Sequence, residues 1–234
     1  MRETLTIAVA QPVAVAHDVA ANAAAHALMV RGAGARVVVF PELSLTGYEL
    51  DADLVPTDHP GLAPLIDACR ETGTLALVGA PVDGPNIATL AVDGHTGRVD
   101  VAYRKLYLGG SEVIRFRPAA TGPAVVEVDG WRLGLAACKD TSIPAHQTAT
   151  VALGVDAYVA AMCLFDHERD EQDARGQRIA LEHAVFVAFS SFAGSTGDGY
   201  DHCAGHSAIW GPDGAVLARA GVEPGQFVTA ALRP

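Results

Sequence analysis

Uncharged runs rich in Val, Ala and Leu recur along the whole chain, at 5–10, 37–40, 75–80, 157–161 and 185–190. Each has the length of one strand. A strand with one wet face alternates polar and apolar residues, so a run that is apolar throughout needs cover on both faces. More strand-length segments lie at 88–92, 99–103, 124–128, 132–137, 207–210, 216–219 and 227–231. Asp93-Gly94 with Thr96-Gly97, Asp129-Gly130, and Pro212-Asp213-Gly214 are turn signals that pair neighbouring strands as hairpins. Between the runs, 17–31, 61–71, 145–153 and 168–183 read as helices, the first three closed by Gly32 and Gly34, by Gly73 and by Gly154. Helices therefore alternate with strands that also pair locally. The expected class is α/β, with mixed sheets and helices on the outer faces. No linker or low-complexity tract interrupts residues 1–234, which read as a single domain. The element order of the first half faintly repeats in the second.

Half of the residues (50%) are hydrophobic and 18% are charged, which excludes a disordered chain. With 27 Asp+Glu against 16 Lys+Arg, the net charge of −11 would repel a phosphate backbone, so nucleic acid is not an expected partner. No apolar stretch approaches the ~20 residues of a membrane-spanning helix. The N-terminal segment alternates like a strand rather than like a secretory signal, so the expected setting is cytoplasmic, with the four cysteines as thiols.

Polar residues follow three of the strands. Glu42 comes after Phe40-Pro41, Lys105 after Tyr103-Arg104, and Cys138 after the run that ends at Ala137. Strand ends are where a rigid sheet can hold a reacting side chain. The three types are chemically complementary. A thiol with pKa ~8.5 needs a base to become a nucleophile, a carboxylate can take its proton, and an ammonium can stabilise the anion that forms. The backbone N–H after the cysteine can add a second donor. Taken singly, each residue also has an ordinary reading as a loop, surface or core residue.

In combination these segments resemble the nitrilase superfamily of carbon–nitrogen hydrolases. Phe40-Pro41-Glu42-Leu43 with Thr46-Gly47-Tyr48 resembles its glutamate segment. Tyr103-Arg104-Lys105, then Leu108 and Glu112, resembles its lysine segment. Gly134, Cys138, Asp140 and Pro144 resemble its cysteine segment. Gly154-Val155-Asp156-Ala157 and, later, Gly205-His206-Ser207 with Pro212 and Gly214 continue the match in order. The resemblance implies a four-layer α-β-β-α sandwich with two mixed sheets and a Glu42–Lys105–Cys138 triad without metal or organic cofactor. It also implies attack on a small amide or nitrile through a thioester, and a homodimer or higher homo-oligomer. Glu112 would orient Lys105 or the substrate, the Lys139 N–H would join the oxyanion hole, and Tyr48, Cys163, Leu164 and Phe165 would border the substrate. An amide is the leading substrate. Nitrile hydrolysis, acyl transfer to an amine, and a non-catalytic metabolite-binding scaffold are the alternatives.

The sequence departs from the family pattern at several positions. Lys139 replaces the usual aromatic residue, and its charge either selects an acidic substrate or faces water. Ala145 stands in place of an acid, His183 of an Asn and Cys203 of an aromatic, and the sequence stops at Pro234 where relatives carry a tail used in dimer contacts. Two further clusters have plainer readings. His202-Cys203 and His206, with Cys163 and His167, could ligate zinc, but strand alternation would put Cys203 and Gly205 opposite the two histidines, and a structural role is preferred, with His206 still able to line the pocket. Arg169 to Arg175 reads as a solvated helix face, Cys69 as core, and 194–199 as a mobile loop near the site.

Overall fold

The computed structural model describes residues 2–234. In the first half, β1 (Leu5–Gln11), α1 (Val19–Ala33), β2 (Val37–Val39), α2 (Ala63–Thr72), β3 (Leu75–Val82), β4 (Asn86–Asp93), β5 (Val99–Arg104) and α3 (Glu112–Arg115) follow one another. The second half holds β6 (Val125–Val128), β7 (Trp131–Ala137), α4 (Pro144–Val151), β8 (Ala157–Met162), α5 (Arg169–His183), β9 (Phe186–Ser191), β10 (Ala193–Gly194) and β11 (Cys203–Ala204). It closes with β12 (Ala208–Trp210), β13 (Val216–Arg219) and β14 (Gln226–Leu232).

Two six-stranded sheets form, in the orders β14-β1-β2-β3-β4-β5 and β13-β12-β9-β8-β7-β6. In the first, β1, β2 and β3 are parallel and β4, β5 and β14 antiparallel; in the second, β7, β8 and β9 are parallel and β6, β12 and β13 antiparallel. The faint repeat in the sequence is thus a repeat of topology: three parallel strands, then a hairpin on one side and one antiparallel strand on the other.

The alternation of side chains along each strand explains the layering. Ile7, Val9, Val37, Val39, Leu75 and Leu77 meet Leu133, Leu135, Val159 and Ile209 between the sheets. Their neighbours Ala8, Ala10, Val38, Ala76 and Val78 turn the other way, onto Ala23, Ala27 and Val30 of α1 and Leu65, Ala68 and Cys69 of α2. On the far side, Tyr158, Ala160, Val187 and Phe189 pack on Ile179 and Ala180 of α5. Both faces of the parallel strands are covered, as their composition requires, and full burial of each Val or Leu side chain stabilises by roughly 1.5–3 kcal/mol.

Local chemistry sets the helix ends. Helix α1 starts two residues later than expected because the Asp18 carboxylate accepts the Ala21 N–H at 2.9 Å, leaving His17 outside at φ 60°. Gly34 closes it in the left-handed conformation. α5 ends in that same conformation on Ala184, a residue that carries no glycine signal. Two features depart from the expectations. The segment read as a loop at 194–199 is closed at its base by the short β10–β11 ladder. Gly205 and His206 both have positive φ, so the extended run breaks before Ser207 and simple alternation does not govern 202–206. Among the described residues, no helix is long and apolar enough to cross a membrane.

Candidate active site

Glu42 lies just beyond β2, on a turn in which Leu43 takes a φ of 55°. The turn is held to β3 by Leu45 N–H to the Gly79 carbonyl (2.9 Å) and by Gly79 N–H to the Ser44 hydroxyl (3.2 Å). A Cβ at position 79 would come within 2.2 Å of the Leu43 nitrogen and 2.4 Å of the Pro41 oxygen. Only glycine lets the Glu42 turn sit this close to the sheet.

Lys105 follows β5 and is fixed by its own N–H to the Ile87 carbonyl at 2.8 Å. Its ammonium is buried and donates to Glu42 Oε1 and to Glu112 Oε1, each at 2.7 Å. Glu112 opens α3. Its Oε1 also accepts the Tyr48 hydroxyl at 2.5 Å, and its Oε2 accepts the Gly109 N–H at 2.8 Å. Glu42 Oε2 has no hydrogen-bond partner among the described residues.

Cys138 directly follows β7 and begins a 3₁₀ turn, Cys138–Ser142, with a φ of 36°. Such backbone strain costs of order 1–3 kcal/mol and persists where the surroundings enforce it. Asp140 provides the enforcement. Its Oδ2 accepts the Ala137 N–H (2.9 Å) and the Tyr103 hydroxyl (2.6 Å), and its Oδ1 the Tyr107 N–H (2.9 Å). The Cys138 turn is therefore tied to the strand that delivers Lys105. Tyr103 in turn meets His146 Nε2 at 2.9 Å, and His146 Nδ1 meets the Tyr158 hydroxyl at 3.0 Å. The Cys138 thiol donates to the Cys163 carbonyl at 3.2 Å.

Burial dominates the electrostatics. It pushes the Glu42 carboxyl up to about 8; Lys105 works against that rise and Glu112 adds to it, because two carboxylates share one ammonium. For Lys105, burial opposes the charge, but Glu42, Cys138 and Glu112 together outweigh it and hold the ammonium charged above its ordinary range. Burial pushes the Cys138 thiol up to about 12, with Glu42 adding to the effect, while Lys105 and the bond to Cys163 pull it down. The cysteine is thus held as a thiol, and it could act as a nucleophile only with a base to take its proton.

A cleft of about 460 Å³ opens onto this cluster, and Tyr48, Lys105, Glu112, Cys138, Lys139, Leu164 and Phe165 line it. Glu42, buried and paired with Lys105, does not line the cleft. Cys163 does not line it either: its side chain packs with Leu43, Phe192 and Cys203, and only its carbonyl meets the Cys138 thiol. Tyr200 lies parallel to Phe165 at 4.1 Å and edge-on to Tyr48 at 5.0 Å, so the loop at 194–199 and its neighbours form one wall.

The reading of 169–175 as a solvated face is corrected at Arg175. It is buried, pairs with Glu171 one turn earlier, donates to the Thr141 hydroxyl at 3.1 Å and lines the cleft. A helix pattern dense in charge conceals which single charge turns inward. Ser111 and Asp198, which share a hydrogen bond, also line the cleft and carried no signal beyond proximity to Glu112 and to the loop. His206 instead pairs with Asp173 at 3.3 Å. Among the described residues the ligand atoms of His17, Glu49 and Asp51 come together at the surface, whereas the His202–His206 stretch gathers no such set.

The family model described as carbon-nitrogen hydrolase matches residues 6–234. The chain is 30% identical over 215 residues to a hydrolase of Mycobacterium tuberculosis, an alignment spanning 82% of this chain and 76% of that one. It is 27% identical over 219 residues to a hydrolase in the pqqF 5′ region of Pseudomonas protegens, spanning 88% and 75%. Among solved structures it is similar to the amidase from Nesterenkonia sp. AN1. A cysteine-to-alanine mutant in complex with butyramide superposes with a TM-score of 0.86 at 25% identity, covering 97% of this chain and 90% of that one. A second mutant, showing Michael addition of acrylamide at the active-site cysteine, superposes at 0.85 with 23% identity, covering 98% and 93%.

Proposed function

Because the chain belongs to the carbon–nitrogen hydrolase family, we propose that it cleaves the C–N bond of small amides, with Glu42, Lys105 and Cys138 as its triad. The observation that carries this reading is the buried Lys105 ammonium, 2.7 Å from Glu42 and 2.7 Å from Glu112, at the floor of the cleft that Cys138 lines.

Glu42 takes the thiol proton as Sγ attacks the amide carbon. The carbonyl oxygen becomes an oxyanion, received by the Lys105 ammonium and the Lys139 N–H. Glu42 passes the proton to the amide nitrogen, the C–N bond breaks and ammonia leaves, with the acyl group held on sulfur as a thioester. Water then attacks the thioester and gives its proton to Glu42. The C–S bond breaks, the acid departs and the sulfur regains its proton. Glu112 holds Lys105 in place and, with Tyr48, shapes the acyl side of the cleft.

The likeness to an amidase seen with butyramide supports an amide rather than a nitrile as substrate. A panel of small amides and nitriles, scored by ammonia release in buffer without added amine, tests the reading and separates hydrolysis from acyl transfer. Release from amides that disappears in Cys138→Ala is the expected result. Release that persists in Cys138→Ala overturns the triad, and no release from any amide overturns the activity. Homodimer formation belongs to the same proposal, and sedimentation velocity checks it.

A further inference from the structure

Apart from the Lys105–Glu112 pair, the cleft is lined by five ionic side chains: Lys139, Glu168, Glu171, Arg175 and Asp198. Four of them are engaged within the chain. Glu171 and Arg175 pair with each other, Glu168 accepts the Phe165 N–H at 2.9 Å, and Asp198 accepts the Ser111 hydroxyl. The Lys139 ammonium has no ion-pair or hydrogen-bond partner among the described residues. Its position is nonetheless set. It follows the nucleophile directly, on a turn whose direction is fixed by the left-handed Cys138. Its stem also lies against Gly109, whose Cβ, if present, would touch Lys139 Cδ, Cβ and Cγ at 3.7–3.8 Å. Gly109 is held in turn by its N–H to Glu112. The stem therefore runs along one cleft wall, and the charge at its tip is uncommitted.

We propose that Lys139 is a specificity-determining residue. Its side-chain ammonium receives a carboxylate carried on the acyl part of the substrate, which makes the mono-amides of short dicarboxylic acids the preferred class. This rests on the amide-hydrolase reading and goes beyond it by naming the substrate's charge. An oxyanion bound through the Lys139 backbone N–H and a carboxylate bound through the tip of the same side chain fit one short substrate lying along the wall. A charge-assisted contact of this kind at a partly open rim is expected to change affinity by about tenfold.

The test compares kcat/KM for succinamate and glutaramate with that for butyramide and pentanamide, and includes γ-aminobutyramide as an oppositely charged control. The wild-type protein is expected to favour the carboxylate-bearing amides by about tenfold, through KM, with the advantage shrinking as salt is raised. Lys139→Met keeps the apolar stem and should erase most of the advantage, and Lys139→Arg should keep it. Calorimetric titration of glutarate into Cys138→Ala protein, with and without Lys139→Met, gives a second readout that needs no turnover. An unchanged preference in Lys139→Met overturns the proposal. So does a preference for γ-aminobutyramide, which would assign specificity to Glu168 and Asp198. Cleavage of butyramide without any carboxylate preference removes the role of Lys139 and leaves the amidase reading standing, whereas failure to cleave any amide removes both.

Discussion

Glu42 and Glu112 compete for one buried ammonium, and that competition gives the site its working charge state. With both acids ionised, the cluster would hold a net negative charge away from water, so burial and Glu112 push the Glu42 carboxyl up to about 8. The base is fully available only above that pH, and kcat/KM should therefore rise with pH along an acid limb near 8, well above the ordinary carboxylate range. Glu112→Gln removes one of the charges that raises Glu42, so a pH–rate profile of that variant should show the limb moved to lower pH; a limb that stays or moves up contradicts the account. Lys105→Met should lower kcat by at least ~10²–10³-fold, as expected for loss of an oxyanion donor. It should also destabilise the fold by about 3–5 kcal/mol, measured by denaturant unfolding, because two buried carboxylates lose their cation. At this scale the three residues proposed as the triad stood out as polar residues at strand ends and through the resemblance. Arg175 was not, because nothing in a run of Arg, Asp and Glu marks the one that faces Thr141. Nor did the sequence mark the three hydrogen bonds by which Asp140 holds the Cys138 turn.

At the scale of elements, close approach of the Glu42 turn to β3 matters as much as the residues that react. Gly79→Ala puts a methyl group where the Pro41 and Leu43 backbone already lies, so the turn must move. The expected outcome is a loss of stability of at least about 1–3 kcal/mol and a fall in kcat larger than in KM. A variant with wild-type kinetics would show that the turn's position is not critical. Helix α1 carries a different liability. His26 is wholly buried, lies over Phe40 at 4.1 Å and has no partner on either ring nitrogen among the described residues. Burial lowers its pKa to about 3, while the unfolded chain takes up the proton near 6.5. Stability is therefore full above ~6.5 and declines as pH falls toward 3, by up to about 1.4 kcal/mol per pH unit. His26→Leu should remove that part of the slope in unfolding experiments between pH ~6 and ~4. Strands and long helices were legible because their apolar spacing reflects burial. The four-residue α3 and the β10–β11 ladder were not, because they are held by tertiary contacts that leave no periodic trace in so few residues.

The whole molecule is two similar six-stranded sheets laid face to face, and this arrangement brings residues far apart in the chain together around one site. Glu42 follows β2 of one sheet, and Cys163, whose carbonyl receives the Cys138 thiol, follows β8, the corresponding parallel strand of the other. The repeat of element order was visible in the sequence and the facing of two sheets followed from the resemblance, but which alternate residues turn inward to make that interface was not marked. The central claim is that this assembly makes Cys138 the atom that carries the acyl group. The most direct test is mass spectrometry of the Cys138 peptide after acid quenching during turnover of butyramide. The account predicts a butyryl thioester on Cys138 that vanishes in Cys138→Ala together with ammonia release. Continued ammonia release with Cys138 unmodified, or the acyl group found on another side chain, would contradict it.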